Sequence, residues 1–227
     1  MKPIAVFYHT LFVVGNPPQP MQSALQIIPE QMVQLVGWGL LDAATEFHVG
    51  VNGGEESKPY VSSMVSEKAD VRYHGLDSRC ENLTIVWMEE WVKTHPDWYV
   101  FYHHVKGAGH DINSSYFQYA AEWRRGMAHD LIINWRQCVA DLDAGHDIAC
   151  SHFMRHVADG TQNIAAGNFW WAKSDFIATL PSIFLRDRIK QDGIGALTSK
   201  YEAEVWIGNG KMPNAKEYRP GGGNGVP

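Results

Sequence analysis

Apolar runs of strand length alternate with stretches of helical periodicity as far as residue 153. Buried parallel strands are apolar on both faces and end in polar turns, whereas helices repeat apolar residues three and four positions apart. Strands are predicted at 4–9, 47–54, 71–76, 99–105 and 146–153. Helices are predicted at 28–44, 81–95 and 114–142. This alternation is typical of an α/β fold with a mostly parallel sheet flanked by helices.

The chain after residue 153 follows a less regular pattern. Residues 163–172 form an apolar run interrupted by glycine, and 174–180 predicts a short helix capped by Ser174. Residues 201–208 fit either a helix or a strand. We therefore expect a single domain over 1–218, followed by a flexible, glycine-rich tail at 219–227.

The composition narrows the class of protein. The chain has 227 residues, 45% of them hydrophobic, and a formal net charge of −6, which disfavours broad electrostatic binding of nucleic acid. Its cysteines, Cys80, Cys138 and Cys150, form no C-x-x-C pair, so we expect a reduced, cytoplasmic setting. The apolar runs are too short for a transmembrane helix.

Polar residues stand at the carboxyl ends of several predicted strands. They are His9, Thr10, Asn52, His103, His104, Lys106 and Gly107. Right-handed crossovers bring such strand ends to one edge of a parallel sheet, where ligands of α/β proteins bind. Lys106 beside Gly107 combines a cation with a close backbone approach, which suits a phosphate or a diphosphate. The alternative is an ordinary polar turn after each strand.

Two later segments carry further candidates. Asn168 precedes the adjacent pair Trp170 and Trp171, of which one could pack in the core while the other lines a pocket. Core packing of both tryptophans is the alternative. Glu202 and Glu204 stand in an apolar setting, where a carboxylate near a pocket can act as a general base. For these two glutamates, the alternative is a solvated helix face.

The sequence contains no strong metal or phosphate-loop motif. Its 11 histidines are scattered, and neither H-E-x-x-H nor a C-x-x-C pair is present. Asp141 and Asp143 form a D-x-D, which an acidic loop between a helix and a strand explains better than a metal site. The G-x-S-x-G, P-loop and G-x-G-x-x-G motifs are absent, which disfavours serine hydrolases, P-loop enzymes and standard dinucleotide-binding proteins.

Four segments in a fixed order carry a resemblance to a known family. They are YVFYHHVKG, EWRRGM, GNFWWAKSDFIATLP and YEAEVWIG, all within residues 99–208. Together they resemble the small GT-A-type glycosyltransferase-like proteins of bacteria and viruses. The resemblance implies a GT-A-like (Rossmann-like) fold, a transferase activity and a nucleotide-sugar donor, such as a UDP-sugar, bound over the strand ends.

The resemblance also implies roles for the strand-end residues. GT-A enzymes usually carry a D-x-D after the fourth strand, where it holds a divalent metal on the diphosphate. Here that place reads His103-His104-Val105-Lys106, so Lys106, with a histidine, is expected to neutralise the diphosphate instead. Manganese or magnesium stays open as a cofactor, and no metal ligand is assigned.

The remaining roles follow the same resemblance. His9, Thr10 and Asn52 would line the nucleotide pocket, whereas Asn168 and the two tryptophans would shape the sugar site. Glu204 matches the acidic position at which GT-A enzymes commonly carry a base, and Glu202 is the second candidate. With Glu204 as the base the transfer would be inverting, and a retaining course stays open if it is not. The acceptor hydroxyl is not implied, so a glycan, a lipid-linked glycan, a protein and a modified base all stay open. The alternative functions are a non-catalytic carbohydrate- or nucleotide-binding module on the same fold and a histidine-rich metal hydrolase.

Overall fold

The computed structural model describes residues 2–14, 19–20, 22–75, 81–156, 162–183, 202–208 and 210–219. The strands are β1 (Ile4–Leu11), β2 (Val13–Val14), β3 (Gln19–Pro20), β4 (Glu46–Asn52), β5 (Ala69–Tyr73), β6 (Tyr99–His104), β7 (Ile148–Cys150), β8 (Phe153–His156), β9 (Gln162–Ala165), β10 (Trp170–Lys173) and β11 (Ala215–Glu217). The α-helices are α1 (Gln22–Gly37), α2 (Leu40–Ala43), α3 (Lys58–Met64), α4 (Glu81–Val92), α5 (Ser115–Ala128), α6 (Trp135–Asp143), α7 (Ser174–Ile177) and α8 (Glu202–Trp206). A 3₁₀ turn covers Glu55–Ser57, and a π-helical turn covers His129–Ile133.

Seven of these strands form one sheet in the order β11-β7-β10-β6-β1-β4-β5. Strands β6, β1, β4 and β5 run parallel to one another, and β11 runs parallel to β7. Strand β10 is antiparallel to both of its neighbours. The predicted fold class, a single α/β domain with a mostly parallel sheet flanked by helices, is confirmed.

The sheet separates two apolar layers, because side chains alternate between its faces. In β1, Ile4 and Val6 face one layer, which α1, α2, α3, α5 and α6 cover. Ala5 and Phe7 face the other layer, which α4, α7 and α8 cover. Every residue from Ile4 to Thr10 is buried, as expected for a central strand with helices on both sides.

The predicted helix at 28–44 is two helices in the structure. Helix α1 begins at Gln22 and ends at Gly37, and α2 begins at Leu40. Between them Gly39 adopts a left-handed conformation, with a φ of 71°. Because that conformation costs a glycine little, the chain reverses here although the apolar periodicity continues through the break.

The predicted helix at 114–142 is also interrupted. Ser114 caps α5 by accepting a hydrogen bond from the Phe117 N–H at 3.1 Å. Gly126, the predicted break, lies inside α5, and the π-helical turn starts three residues later at His129. Helix α6 resumes at Trp135.

The C-terminal elements differ from the expectations in detail. The strand predicted at 146–153 is the shorter β7, because Phe153 starts β8, which pairs with β9 outside the main sheet. Ser174 does not cap α7: it is the first helical residue, and its hydroxyl accepts a hydrogen bond from the Trp98 N–H. Residues 201–208, for which a helix or a strand was expected, contain α8.

Arg219 is the last described residue, so 220–227 of the predicted tail lie outside the described residues. Its guanidinium donates to the Asp130 carboxylate at 2.7 Å.

None of the described helices combines the length and the apolar character needed to cross a bilayer.

A close approach between β4 and α4 gives a test of the packing. A Cβ added to Gly50 would lie 1.9 Å from the Thr84 hydroxyl oxygen, so the substitution Gly50→Ala overpacks the core. We expect it to lower the free energy of unfolding by about 1–3 kcal/mol and the melting temperature by several degrees. The control is Gly37→Ala, because a Cβ there meets no atom within 4 Å. Equal melting temperatures for the two variants would contradict the packing described here.

Candidate functional site

A cleft of about 300 Å³ opens at the carboxyl ends of β1 and β6. Its walls come from the end of β1, the start of α4, the loop after β6, and helices α5 and α8. Strands β1 and β6 are parallel neighbours, and His9 lies opposite His104 in their register. The sequence-based expectation of a crevice at this edge of the sheet is therefore met.

The loop after β6 is fixed by a buried arginine. Arg124 of α5 donates to the Lys106 carbonyl at 2.8 Å and pairs with Glu30 of α1 at 3.1 Å. Gly107 follows with a φ of 93°, and a Cβ on it would lie 2.9 Å from the Ala120 Cβ. A residue with a side chain would be strained and would clash here, so glycine allows the loop to lie directly on α5.

Lys106 and Glu204 meet inside the cleft although 98 residues separate them in sequence. The Lys106 ammonium donates to a carboxylate oxygen of Glu204 at 2.7 Å, and the two side chains are only 16% and 14% exposed. The same ammonium lies 4.4 Å from the centre of the Trp123 ring. The cleft thus holds a cation and a carboxylate in contact, both largely removed from water.

His104 is neutral in the cleft wall. Its Nε2 lies 3.0 Å from the Gly167 carbonyl, and because a carbonyl can only accept, Nε2 carries the ring proton. Burial, with the Lys106 charge beside it, lowers the pKa of His104 to about 4. Without a ligand, His104 therefore carries no charge at neutral pH, and its sharing of the cationic role with Lys106 stays a prediction.

His9 lies at the end of β1 and also lines the cleft. Its Nδ1 is 2.8 Å from the Thr84 hydroxyl. Burial lowers the pKa of His9 to about 3, so this ring is neutral as well.

Three predicted donor-binding residues do not reach the cleft wall. Thr10 is fully buried, and its hydroxyl donates to the Gly50 carbonyl at 3.1 Å. Asn52, at the end of β4, is 5% exposed. His103 is fully buried, with its ring stacked on Tyr8 at 4.1 Å, and burial holds its pKa well below the usual value. All three side chains are buried and none of them lines the cleft, so their assignment to the nucleotide pocket is corrected.

The predicted sugar-site residues are buried as well. Trp170 and Trp171 are both fully buried and point to opposite layers, where they stack on Tyr102 at 5.1 Å and Phe101 at 5.0 Å. Asn168 is fully buried too. The alternative of core packing is thus the correct one for both tryptophans, and none of the three residues forms a wall of this cleft.

Glu81, the first residue of α4, is a cleft residue that the sequence analysis did not single out. It accepts hydrogen bonds from the Tyr102 hydroxyl at 2.9 Å and the Asn168 amide at 2.7 Å. Asn168 reaches it from a left-handed turn with a φ of 54°, while its own oxygen accepts from the Trp170 indole. The available signal was an acidic residue opening a helix at the strand-end edge of the sheet.

Other parts of the predicted site stand as follows. Glu202 begins α8, and its side chain lies outside the described residues. Asp141 and Asp143 lie in α6, where they accept hydrogen bonds from the hydroxyls of Tyr218 and Tyr99. Within the described ranges, no group of three or more histidine, cysteine or acidic residues is arranged to hold a metal ion.

The lowered pKa of His104 should make the stability of the protein depend on pH. The folded pKa of His104, about 4, lies below the unfolded value of about 6.5, so the unfolded state binds more protons between these values. Lowering the pH from 7.5 to 5 should therefore reduce the free energy of unfolding by roughly 2 kcal/mol through this ring. Denaturant titrations at both pH values should show a smaller loss of unfolding free energy for His104→Gln, because glutamine does not titrate. Glutamine is chosen because its amide can still donate to the Gly167 carbonyl. An equal loss in both proteins would contradict the neutral ring.

Solved structures show only distant similarity to this chain. Rv0371c from Mycobacterium tuberculosis H37Rv has a TM-score of 0.42 at 12% identity, over 95% of this chain and 87% of that chain. A 4-diphosphocytidyl-2C-methyl-D-erythritol synthase has a TM-score of 0.43 at 10% identity, over 95% and 88%. A CMP:2-keto-3-deoxy-manno-octonic acid synthetase complexed with CTP has a TM-score of 0.39 at 12% identity, over 86% and 87%. Similarities of this size define neither a substrate nor a reaction.

Comparisons of the sequence itself give one family. No curated protein matches the chain. The family model described as a domain of unknown function, DUF8361, matches residues 7–210, which include the carboxyl end of β1, the loop after β6 and α8. The chain, with its cleft at the carboxyl edge of the sheet, therefore belongs to the DUF8361 family.

Proposed function

We propose that this protein is a glycosyltransferase that moves a sugar from a nucleoside-diphosphate-sugar donor to a hydroxyl acceptor. The observation that carries the proposal is the contact between Lys106 and Glu204, 2.7 Å apart in the cleft at the carboxyl edge of the sheet. These are the two charges that the transfer requires, a cation for the leaving diphosphate and a carboxylate for the acceptor proton.

Lys106 is the donor-side residue in this proposal. By the resemblance, it stands where GT-A enzymes usually carry metal-binding carboxylates, and its ammonium is largely shielded from water. A diphosphate carries more negative charge than one carboxylate, so the donor would compete with Glu204 for the ammonium. Donor binding would then release Glu204 from its partner and leave it free to accept a proton.

The reaction can be written with these two side chains. The acceptor oxygen forms a bond to the anomeric carbon of the sugar, and the bond from that carbon to the diphosphate oxygen breaks. The acceptor proton passes to Glu204, and the electron pair of the broken bond leaves on the diphosphate, next to Lys106. Attack from the side opposite the leaving group inverts the configuration at the anomeric carbon.

The first experiment is a donor screen. The purified chain is incubated with common nucleoside-diphosphate sugars, and release of the nucleoside diphosphate is measured with and without added acceptors. We expect stabilisation by at least one donor and turnover that persists in a chelator, because Lys106 stands where the metal-binding carboxylates would be. An essential requirement for manganese or magnesium would overturn the role of Lys106. Donor binding without any transfer or hydrolysis would favour the non-catalytic binding module.

Removal of the cation tests the donor site. We expect Lys106→Ala to weaken nucleoside-diphosphate binding by about ten- to a hundredfold, because a charged hydrogen bond contributes roughly 1.5–3 kcal/mol. Binding of the corresponding nucleoside should change little. Calorimetry measures both ligands, and Lys93→Ala, which removes an exposed lysine paired with Glu90, is the control. Equal weakening of both ligands would mean that Lys106 only holds the loop.

Removal of the carboxylate tests the base. We expect Glu204→Gln to reduce turnover by about 10²- to 10⁴-fold, the range for loss of a general base. Donor affinity should be kept or increased, because the neutral amide no longer competes with the diphosphate for Lys106. Steady-state transfer assays and calorimetry give the two quantities, with Glu90→Gln as the matched control. Unchanged turnover would place the base elsewhere, and Glu202→Gln is then the variant that decides.

A further inference from the structure

An aromatic row leads from the Lys106–Glu204 contact towards the mouth of the cleft. It consists of His110, Tyr116, Tyr119 and Trp123, of which His110, Tyr116 and Trp123 line the cleft. Neighbouring ring centres are 4.2 Å apart from His110 to Tyr116, 6.0 Å from Tyr116 to Tyr119, and 6.4 Å from Tyr119 to Trp123.

The row on α5 lies beside the buried stripe of the helix, and of its members Trp123 packs partly against the core. Positions 116, 119 and 123 repeat at three and four residues and so share one stripe of the helix. The stripe beside it carries the buried residues, among them Phe117, Ala121 and Arg124. Tyr116 is 49% exposed, although a tyrosine ring gains from burial. A row that runs along a cleft from the partly buried Trp123 to the exposed Tyr116 offers aromatic surface to a ligand.

The inner end of the row lies at the reacting groups. The Lys106 ammonium lies 4.4 Å from the centre of the Trp123 ring and also contacts the Glu204 carboxylate. A ligand lying along the row would therefore place its inner end next to the carboxylate and its outer end on Tyr116. In the proposed reaction, this inner end is where the acceptor hydroxyl must be.

The charges near the row favour a neutral ligand. In the proposed reaction Lys106 binds the diphosphate of the donor, so it is not available to the acceptor, and the cleft also contains the carboxylate of Glu81. Arg125, on the same helix, is paired with Glu30 at 3.3 Å. A nucleic acid strand needs a basic groove along its phosphates, which these paired groups do not form.

We propose that the aromatic row binds the acceptor, and that the acceptor is an oligosaccharide of neutral pyranose rings. Each pyranose has an apolar face that can lie on an aromatic ring, and its hydroxyls can donate to carboxylates and to tyrosine oxygens. The terminal sugar would present a hydroxyl to Glu204, and the following sugars would lie on Tyr119 and Tyr116. This inference rests on the proposed function, because it identifies the acceptor class of that same reaction.

The test uses four neutral tetrasaccharides as probes, namely maltotetraose, cellotetraose, chitotetraose and mannotetraose. Saturation-transfer NMR on the full chain detects binding, and calorimetry measures the affinity of the best probe. We expect at least one probe to bind and Tyr116→Ala to weaken it by about tenfold. Tyr116→Phe, which keeps the ring, should stay within a few-fold. Tyr73→Ala, which removes an exposed tyrosine of β5, is the control and should have no effect.

The outcomes separate this inference from the proposed function. One outcome is that the chain binds and hydrolyses a donor but either binds no tetrasaccharide or binds it no better than the Tyr116→Ala variant does. This outcome would overturn the inference but not the proposed transferase activity. Tetrasaccharide binding that depends on Tyr116, without any donor binding, would support the carbohydrate surface and overturn the transferase. Binding of single-stranded oligonucleotides to the row in place of sugars would overturn the inference as well.

Discussion

The cleft depends on one buried guanidinium. Arg124 is 2% exposed and joins α5 to the Lys106 carbonyl and to Glu30 of α1. A buried charge of this kind is stable only when it is paired and hydrogen-bonded, so its partners are held in one arrangement. Because Arg124 holds the carbonyl of Lys106, the ammonium of that residue is directed into the cleft, where Trp123 and Glu204 meet it.

A second network holds the opposite wall. Glu81 takes hydrogen bonds from a tyrosine of β6 and from Asn168, and the turn containing Asn168 also supplies the Gly167 carbonyl that fixes His104. Gly167 has to be a glycine, since its φ is 83° and a Cβ would lie 2.3 Å from the Met127 sulfur. His9 and His104 are therefore neutral and held by hydrogen bonds, whereas Lys106 brings a positive charge into the cleft.

These two networks connect residues of all four segments on which the resemblance was based. Tryptophan and arginine of the second segment line and support the cleft, and the glycine and asparagine of the third hold Glu81 and His104. The last segment brings Glu204 to the lysine of the first, while its Trp206 is buried under the sheet. Residues far apart in sequence thus together hold Lys106 and Glu204 in contact in a cleft that is partly closed to water.

The sequence by itself determined the α/β class, the four mutually parallel strands β6, β1, β4 and β5, and the edge at which polar groups meet, because strand and helix periods are local properties of the chain. It also identified Lys106, His104, His9 and Glu204, which all line the cleft. Only the tertiary structure decided that Thr10, His103 and both tryptophans are buried, since a polar or aromatic residue at a strand end can face either way. Glu81, Arg124 and the aromatic row were identified only from the fold, because their partners come from other elements. The contact of Lys106 with Glu204 joins positions 98 residues apart, and such a contact has no signature in local sequence.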